Sequence, residues 1–311
     1  MTSSAVSAIA EAAWVAQTQV RLEEALGIRN RRHLDFEQTT NYGLPGYPAY
    51  RHGHYLAQRT RQALSLGNEP ITSMREFCEE TLGIPVIQVE LGEWVAGVTV
   101  EVATNTRAIV VNISGGNRDA FMRRSTLAHE VGHLLYDPRQ QLNRLRVDEY
   151  DDLATPAHAI EDRVEQRANA FAVELLAPHE AARQLFVERG GADGTGLQAV
   201  IDYFGISFTA ARYQIWNAID RSIPLERLTA RARPQDHWVG AEQYTVDYNF
   251  LQTSDSRAGR FSAVVIRAAQ ERLVSWDTAA EFLLCTEAEA RAAADTVRDL
   301  FPSVFAALAS S

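Results

Sequence analysis

The chain has 311 residues, 46% of them hydrophobic and 23% charged, and a net charge of −10. This composition excludes a disordered or fibrous protein and provides for a sizeable core and two or three domains. The acidic balance argues against a broad phosphate-binding surface.

No run approaches the ~18 apolar residues of a membrane span. Residues 1–20 lack the basic start and compact apolar core of a secretory signal, so a cytoplasmic protein with no membrane partner is expected. Cys78 and Cys285 lie far apart without a C-x-x-C pattern, which predicts buried thiols rather than a disulfide or a thiolate metal site. All 30 basic residues are Arg, a bias that either a GC-rich genome or escape from lysine-directed tagging or modification would explain.

Residues 1–35 carry a loose apolar stripe, Ala5, Ile9, Ala12, Val15 and Val20 among it, at helical spacing. The turn-rich segment 42–48 marks a boundary. A helix is expected over 49–66, and Ser73 with Glu76 three residues on forms a capping box for another that ends at Gly83. Three alternating stretches, 85–91, 95–102 and 107–112, predict a small, mostly antiparallel sheet. The turn Ser114–Asn117 leads into a long helix, with Asn117 as its expected cap, that must stop at Tyr136-Asp137-Pro138.

Residues 139–160 read as a polar, solvated connection whose acids, Asp148, Glu149, Asp151 and Asp152, would favour basic substrate segments if they rim a site. Helix returns over 160–176 and ends before Pro178. The glycine-rich segment 190–196 is a natural edge, after which residues 197–216 read as helix, tight turn at Gly205, helix, with Ser207 or Thr209 capping the second. This is a helix-turn-helix pattern. Its stretch Leu197–Ile219 carries only Asp202 and Arg212, which favours a structural module over a DNA reader. Arg221, Arg227, Arg231 and Arg233 make the following segment either a linker or a weak nucleic-acid contact. Three further helices, 261–273, 275–284 and 287–300, close the chain, the last with a capping box from Thr286 and Glu289. The expected organisation is a helical extension (1–45), a catalytic domain (46–189), a helix-turn-helix-like module (190–235) and a C-terminal helical module (236–311).

The most specific stretch is Ser125–Tyr136, which contains His129-Glu130-Val131-Gly132-His133. Two histidines four apart leave the same face of a helix and can share one metal ion, and Glu130 beside the first is placed to act on an activated water. Catalytic zinc takes three protein ligands, so one more His, Asp or Glu is required. Glu165 is the preferred third ligand, with Glu161 and Asp162 as competitors nearer the helix start. Asn169, four residues after Glu165, is placed to hydrogen-bond a ligand imidazole. Tyr136 and His158 are candidate donors to the oxyanion. The strand around Ile109–Val111 is a candidate for binding a substrate backbone as an added strand.

Two linked motifs resemble the ImmA/IrrE metallopeptidases. They are Thr126-Leu127-Ala128-His129-Glu130-Val131-Gly132-His133-Leu134-Leu135 and Glu165–Pro178, which is similar to the family's E-x-x-A-N-x-F-A-x-x-L-L-x-P segment. The resemblance covers roughly residues 50–185. It implies an α+β, gluzincin-like minimal peptidase with a small sheet packed on the histidine helix and a second ligand helix, followed by helical modules. It further implies Zn2+ held by His129, His133 and Glu165, with Glu130 as the catalytic glutamate. The implied substrate is a helix-turn-helix repressor or antitoxin in a stress or phage-response circuit. A DNA-binding regulator that uses the peptidase fold as a sensor is the competing expectation.

Overall fold

The computed structural model describes residues 2–28, 48–102, 106–137, 146–149, 162–231, 233–242 and 251–306. A four-stranded sheet lies at the centre, in the order β1 (Val86–Val89), β3 (Thr106–Asn112), β2 (Val95–Val102), β4 (Arg146–Glu149). The pair β1–β3 is parallel, and β2 runs antiparallel to both β3 and β4. The mixed α+β architecture with a mostly antiparallel sheet is as expected. Strand β4 is not: its residues Asp148 and Glu149 stand in a ladder where a solvated loop was expected.

Position in the sheet removes one expectation. Strand β3 is hydrogen-bonded on both sides, with Ile109 opposite Val86 and Thr99, so Ile109–Val111 has no edge left for a substrate strand. Among the described residues, β1 and β4 are the outer strands.

Side chains alternate across the sheet with the period of two that strands impose. Val86, Ile109 and Val111 point into one core, while Ile87, Val89, Val98, Ala108 and Val110 point into another. A bulge in β2 between Val95 and Gly97 shifts the parity, so Val95 and Val98, three apart, enter the same core.

The first core contains α2 (Ala49–Ala63), the short α3 (Met74–Glu76), α4 (Ala120–Tyr136), α5 (Arg163–Leu176), α6 (His179–Glu188), α7 (Gly196–Phe204) and α8 (Phe208–Ala218). Gly132 lets α4 come close to α5, because a Cβ there would lie 2.8 Å from the Phe171 ring; at Gly53 on α2 a Cβ would meet the Arg167 carbonyl. The turn between α7 and α8 is as read: Gly205 is left-handed at φ 63°, and the Ser207 hydroxyl accepts from Ala210 N. Helix α9 (Asp236–Glu242) closes this core. Its Trp238 lies beneath the Arg124 guanidinium at 4.2 Å, and the buried Glu242 carboxylate accepts from Arg124, Met74 N and Arg75 N.

The second core joins the two ends of the chain. Helix α1 (Ser3–Ala25) lies on the far face of the sheet with α10 (Arg260–Gln270), α11 (Trp276–Leu283), α12 (Glu287–Leu300) and α13 (Pro302–Phe305). Both halves of the Thr286–Glu289 capping box are present. Buried Arg260 ties the ends to the centre through Glu23 of α1 and Glu80. The four expected segments therefore share two cores, one on each face of the sheet. No helix among the described residues is long and apolar enough to cross a membrane.

Candidate metal centre

Helix α4 starts later than Asn117. Residues 115–118 form a 3-10 turn, and Asp119 is the cap, its carboxylate accepting from Phe121 N and Met122 N. Asn117 is buried and does other work: it donates to Ala96 O at 2.8 Å, and its side-chain oxygen accepts the Thr126 hydroxyl at 2.9 Å. These bonds tie α4 to the bulge of β2. Thirteen residues after Asn117 comes Glu130, flanked by His129 and His133, all three with no solvent exposure.

The third ligand candidate arrives on α5. Asp162 caps that helix by accepting from Val164 N, which places Glu165 in its first turn. Glu165 Oε2 lies 3.1 Å from His129 Nε2 and 3.7 Å from His133 Nε2, and the two imidazole nitrogens are 2.8 Å apart. Three ligands at tetrahedral angles and ~2.0–2.1 Å from a zinc ion would be separated by about 3.3 Å, a value these distances bracket. A buried His-His-Glu group with donor atoms converging in this way fits one metal ion.

The other imidazole nitrogens are held. His129 Nδ1 donates to Asn169 Oδ1 at 2.6 Å, the contact expected from the spacing on α5. His133 Nδ1 donates to Asp137 Oδ2 at 2.8 Å, and Arg167 on α5 pairs with the same carboxylate. With Nδ1 protonated in both rings, each Nε2 presents its lone pair to the shared point. Asp137 and Arg167 were missed by the sequence reading, although Asp137 stands four residues after His133, the interval that puts two side chains on one helix face.

Other candidates fall elsewhere. The Tyr136 hydroxyl is in the core, donating to Leu56 O at 3.1 Å and 2.8 Å from the Thr60 hydroxyl, with its ring edge-on to Phe171; burial pushes its pKa up to about 12. It is engaged with α2 rather than gathered with the three ligands. Asp162 serves as the helix cap, and His158 and Glu161 lie outside the described residues. In the helix pair α7–α8, the one arginine, Arg212, spends its guanidinium on Leu225 O.

Residues 79–215 match the family model described as Peptidase_M78, IrrE N-terminal-like domain. No curated protein matches the chain. The match spans β1 to β4, both helices that carry the candidate ligands, α7 and most of α8, and bears out the ImmA/IrrE resemblance. The segment is thus similar to a peptidase domain of metallopeptidase type.

Proposed function

We propose that this protein is a zinc-dependent endopeptidase that cuts a peptide bond in a regulatory protein, a helix-turn-helix repressor or antitoxin, within a stress or phage-response circuit. The observation that carries the reading is the convergence of His129 Nε2, His133 Nε2 and Glu165 Oε2 on one point, with Glu130 next to His129 on the same buried helix. The gluzincin-like arrangement, two histidines on one helix and a glutamate on the next, is the part of the fold on which it rests.

Zinc in this ligand set supplies Lewis acidity, which activates water near neutral pH and polarises a carbonyl. The remaining steps belong to the chain. Glu130 takes the proton of the attacking water and returns it to the departing amine. Asn169 and Asp137 keep both imidazoles in the tautomer that leaves Nε2 free, and Arg167 holds Asp137 in place. Strand β4, next to β2 at the border of the sheet, offers the edge along which an extended substrate would lie.

The DNA-binding alternative has less support, because the α7–α8 pair carries no net charge and Arg212 is engaged internally. The deciding experiment is co-incubation of the purified protein with small helix-turn-helix repressors encoded beside it. The expected outcome is a discrete cut that needs zinc and stops with chelator. A salt-sensitive gel shift on promoter DNA, with no cut in any repressor, would replace the peptidase reading with the regulator.

A further inference from the structure

Strand β2 reads Val95-Ala96-Gly97-Val98-Thr99-Val100, and Gly97 is the residue without a side chain in an otherwise β-favouring run. Glycine in a strand interior weakens it, so its presence calls for a cause. Backbone conformation is not that cause, since Gly97 is absent from the left-handed φ region. Space is. A Cβ at Gly97 would lie 2.6 Å from Glu130 Oε1, 3.4 Å from Glu130 Cδ and 2.9 Å from the Thr126 methyl. Thr126 and Glu130 are one helical turn apart, so the bare backbone at 97 forms a notch that receives both side chains.

The notch is held in register from two sides. The bulge of β2 falls at this point, between Val95 and Gly97, and turns the Ala96 carbonyl onto Asn117. Asn117 in turn holds the Thr126 hydroxyl. A one-residue slip of β2 would put Ala96 or Val98 against the glutamate, and Val98 already belongs to the opposite core.

We infer that Gly97 is a positioning residue for Glu130: its missing side chain makes the slot that sets the carboxylate relative to the three ligands. The proposal rests on the peptidase reading for its consequence, though the contact itself does not. Adding one methyl group displaces the carboxylate, the far end of a flexible side chain, more readily than the Thr126 methyl group, which sits on a helix held by the Asn117 bonds.

The test is a double-mutant cycle on the full chain with Co2+ as the metal probe. Gly97→Ala is expected to lower the melting temperature and to shift the visible absorption of bound Co2+ as Glu130→Ala does. In the Glu130→Ala background, adding Gly97→Ala is expected to leave the spectrum unchanged and to lose at least half of its melting penalty, because the new methyl group occupies the vacated space. Equal melting penalties in both backgrounds, with the Co2+ spectrum of Gly97→Ala that of wild type, would overturn the proposal. If Gly97→Ala alone does not fold, recovery of a folded protein in the double variant supports it, and failure of both overturns it. A wild-type chain that binds no Co2+ would instead remove the metallopeptidase reading, and the melting cycle would still decide the contact.

Discussion

The two faces of the sheet are built from different chemistry. On the far face, α1 packs on the strands and α10 to α12 pack on α1 and one another, mostly through Ala, Val, Ile, Leu and Phe, and this apolar burial is worth ~25 cal/mol per Å2; the buried Arg260 there is paired with Glu23 and Glu80. On the near face, one helix, α4, brings Arg123, Arg124, Thr126, His129, Glu130 and His133 inside, all at 5% exposure or less. Buried polar groups cost free energy unless each is partnered. Here Arg124 has Glu242 and four backbone carbonyls, Thr126 has Asn117, and the histidines have Asn169 and Asp137. The near face thus gathers the candidate metal ligands and Glu130, while the far face is mostly apolar.

That contrast predicts that near-face substitutions change activity and metal binding, and far-face ones change stability alone. The largest effect should come from Glu130→Gln, which removes the proton acceptor: cleavage falls by about 10²–10⁴-fold with one zinc per chain retained. Glu165→Ala, by contrast, should release the zinc, measured as metal per chain after gel filtration. Phe261→Ala on the far face empties a fully buried ring site and should cost ~3–5 kcal/mol in denaturant unfolding, with metal affinity of the folded protein unchanged. A drop in metal affinity there would break the division between the faces.

Smaller effects sharpen it. Asp137→Ala leaves His133 without its orienting carboxylate and should weaken zinc binding by about 10–100-fold in chelator competition. Tyr136→Phe should cost about 1 kcal/mol through the lost bonds to Leu56 and Thr60 and leave turnover intact. A fall in turnover without a fall in stability would return Tyr136 to the catalytic set.

The smallest effect is a pH dependence at the rim of the near core. His179 is raised by its hydrogen bond to Glu174, against partial burial, with Glu180 and Arg183 also facing it. For Glu174, burial raises the pKa, but the bonds from His179 and Gln58 and the charges of His54 and His179 outweigh it, so the net direction is down; half-buried His54 is lowered by desolvation. A raised histidine contributes stability that is complete below its ordinary pKa of about 6.5 and is lost as pH rises through the folded value. A lowered carboxylate contributes above its ordinary range of about 4.3 and loses this as pH falls through its folded value. The melting penalty of His179→Ala should accordingly be greater at about pH 6 than at about pH 8.5.

Local rules made the site legible. The four-residue histidine spacing, Glu130 beside it, and Glu165 with Asn169 one turn on all follow from helical periodicity, as do the Ser207 cap and the Gly205 turn. The helix cap was misread because Asn117 and Asp119 are both competent caps. Only the 3-10 turn over 115–118 and the pull of Ala96 O and Thr126 on Asn117 choose between them.

What the sequence determined by itself is the set of groups that one helix can present on one face: two imidazoles, a carboxylate between them, and a complementary glutamate on a second helix. What tertiary structure decided is everything set by approach between distant segments. It put β3 in the middle of the sheet, joined the chain ends in one core across from the site, brought Arg167 to Asp137, and seated Glu130 in the space over Gly97. Periodicity fixes the direction of a side chain on its own element, but the distance to a neighbour depends on how that element packs.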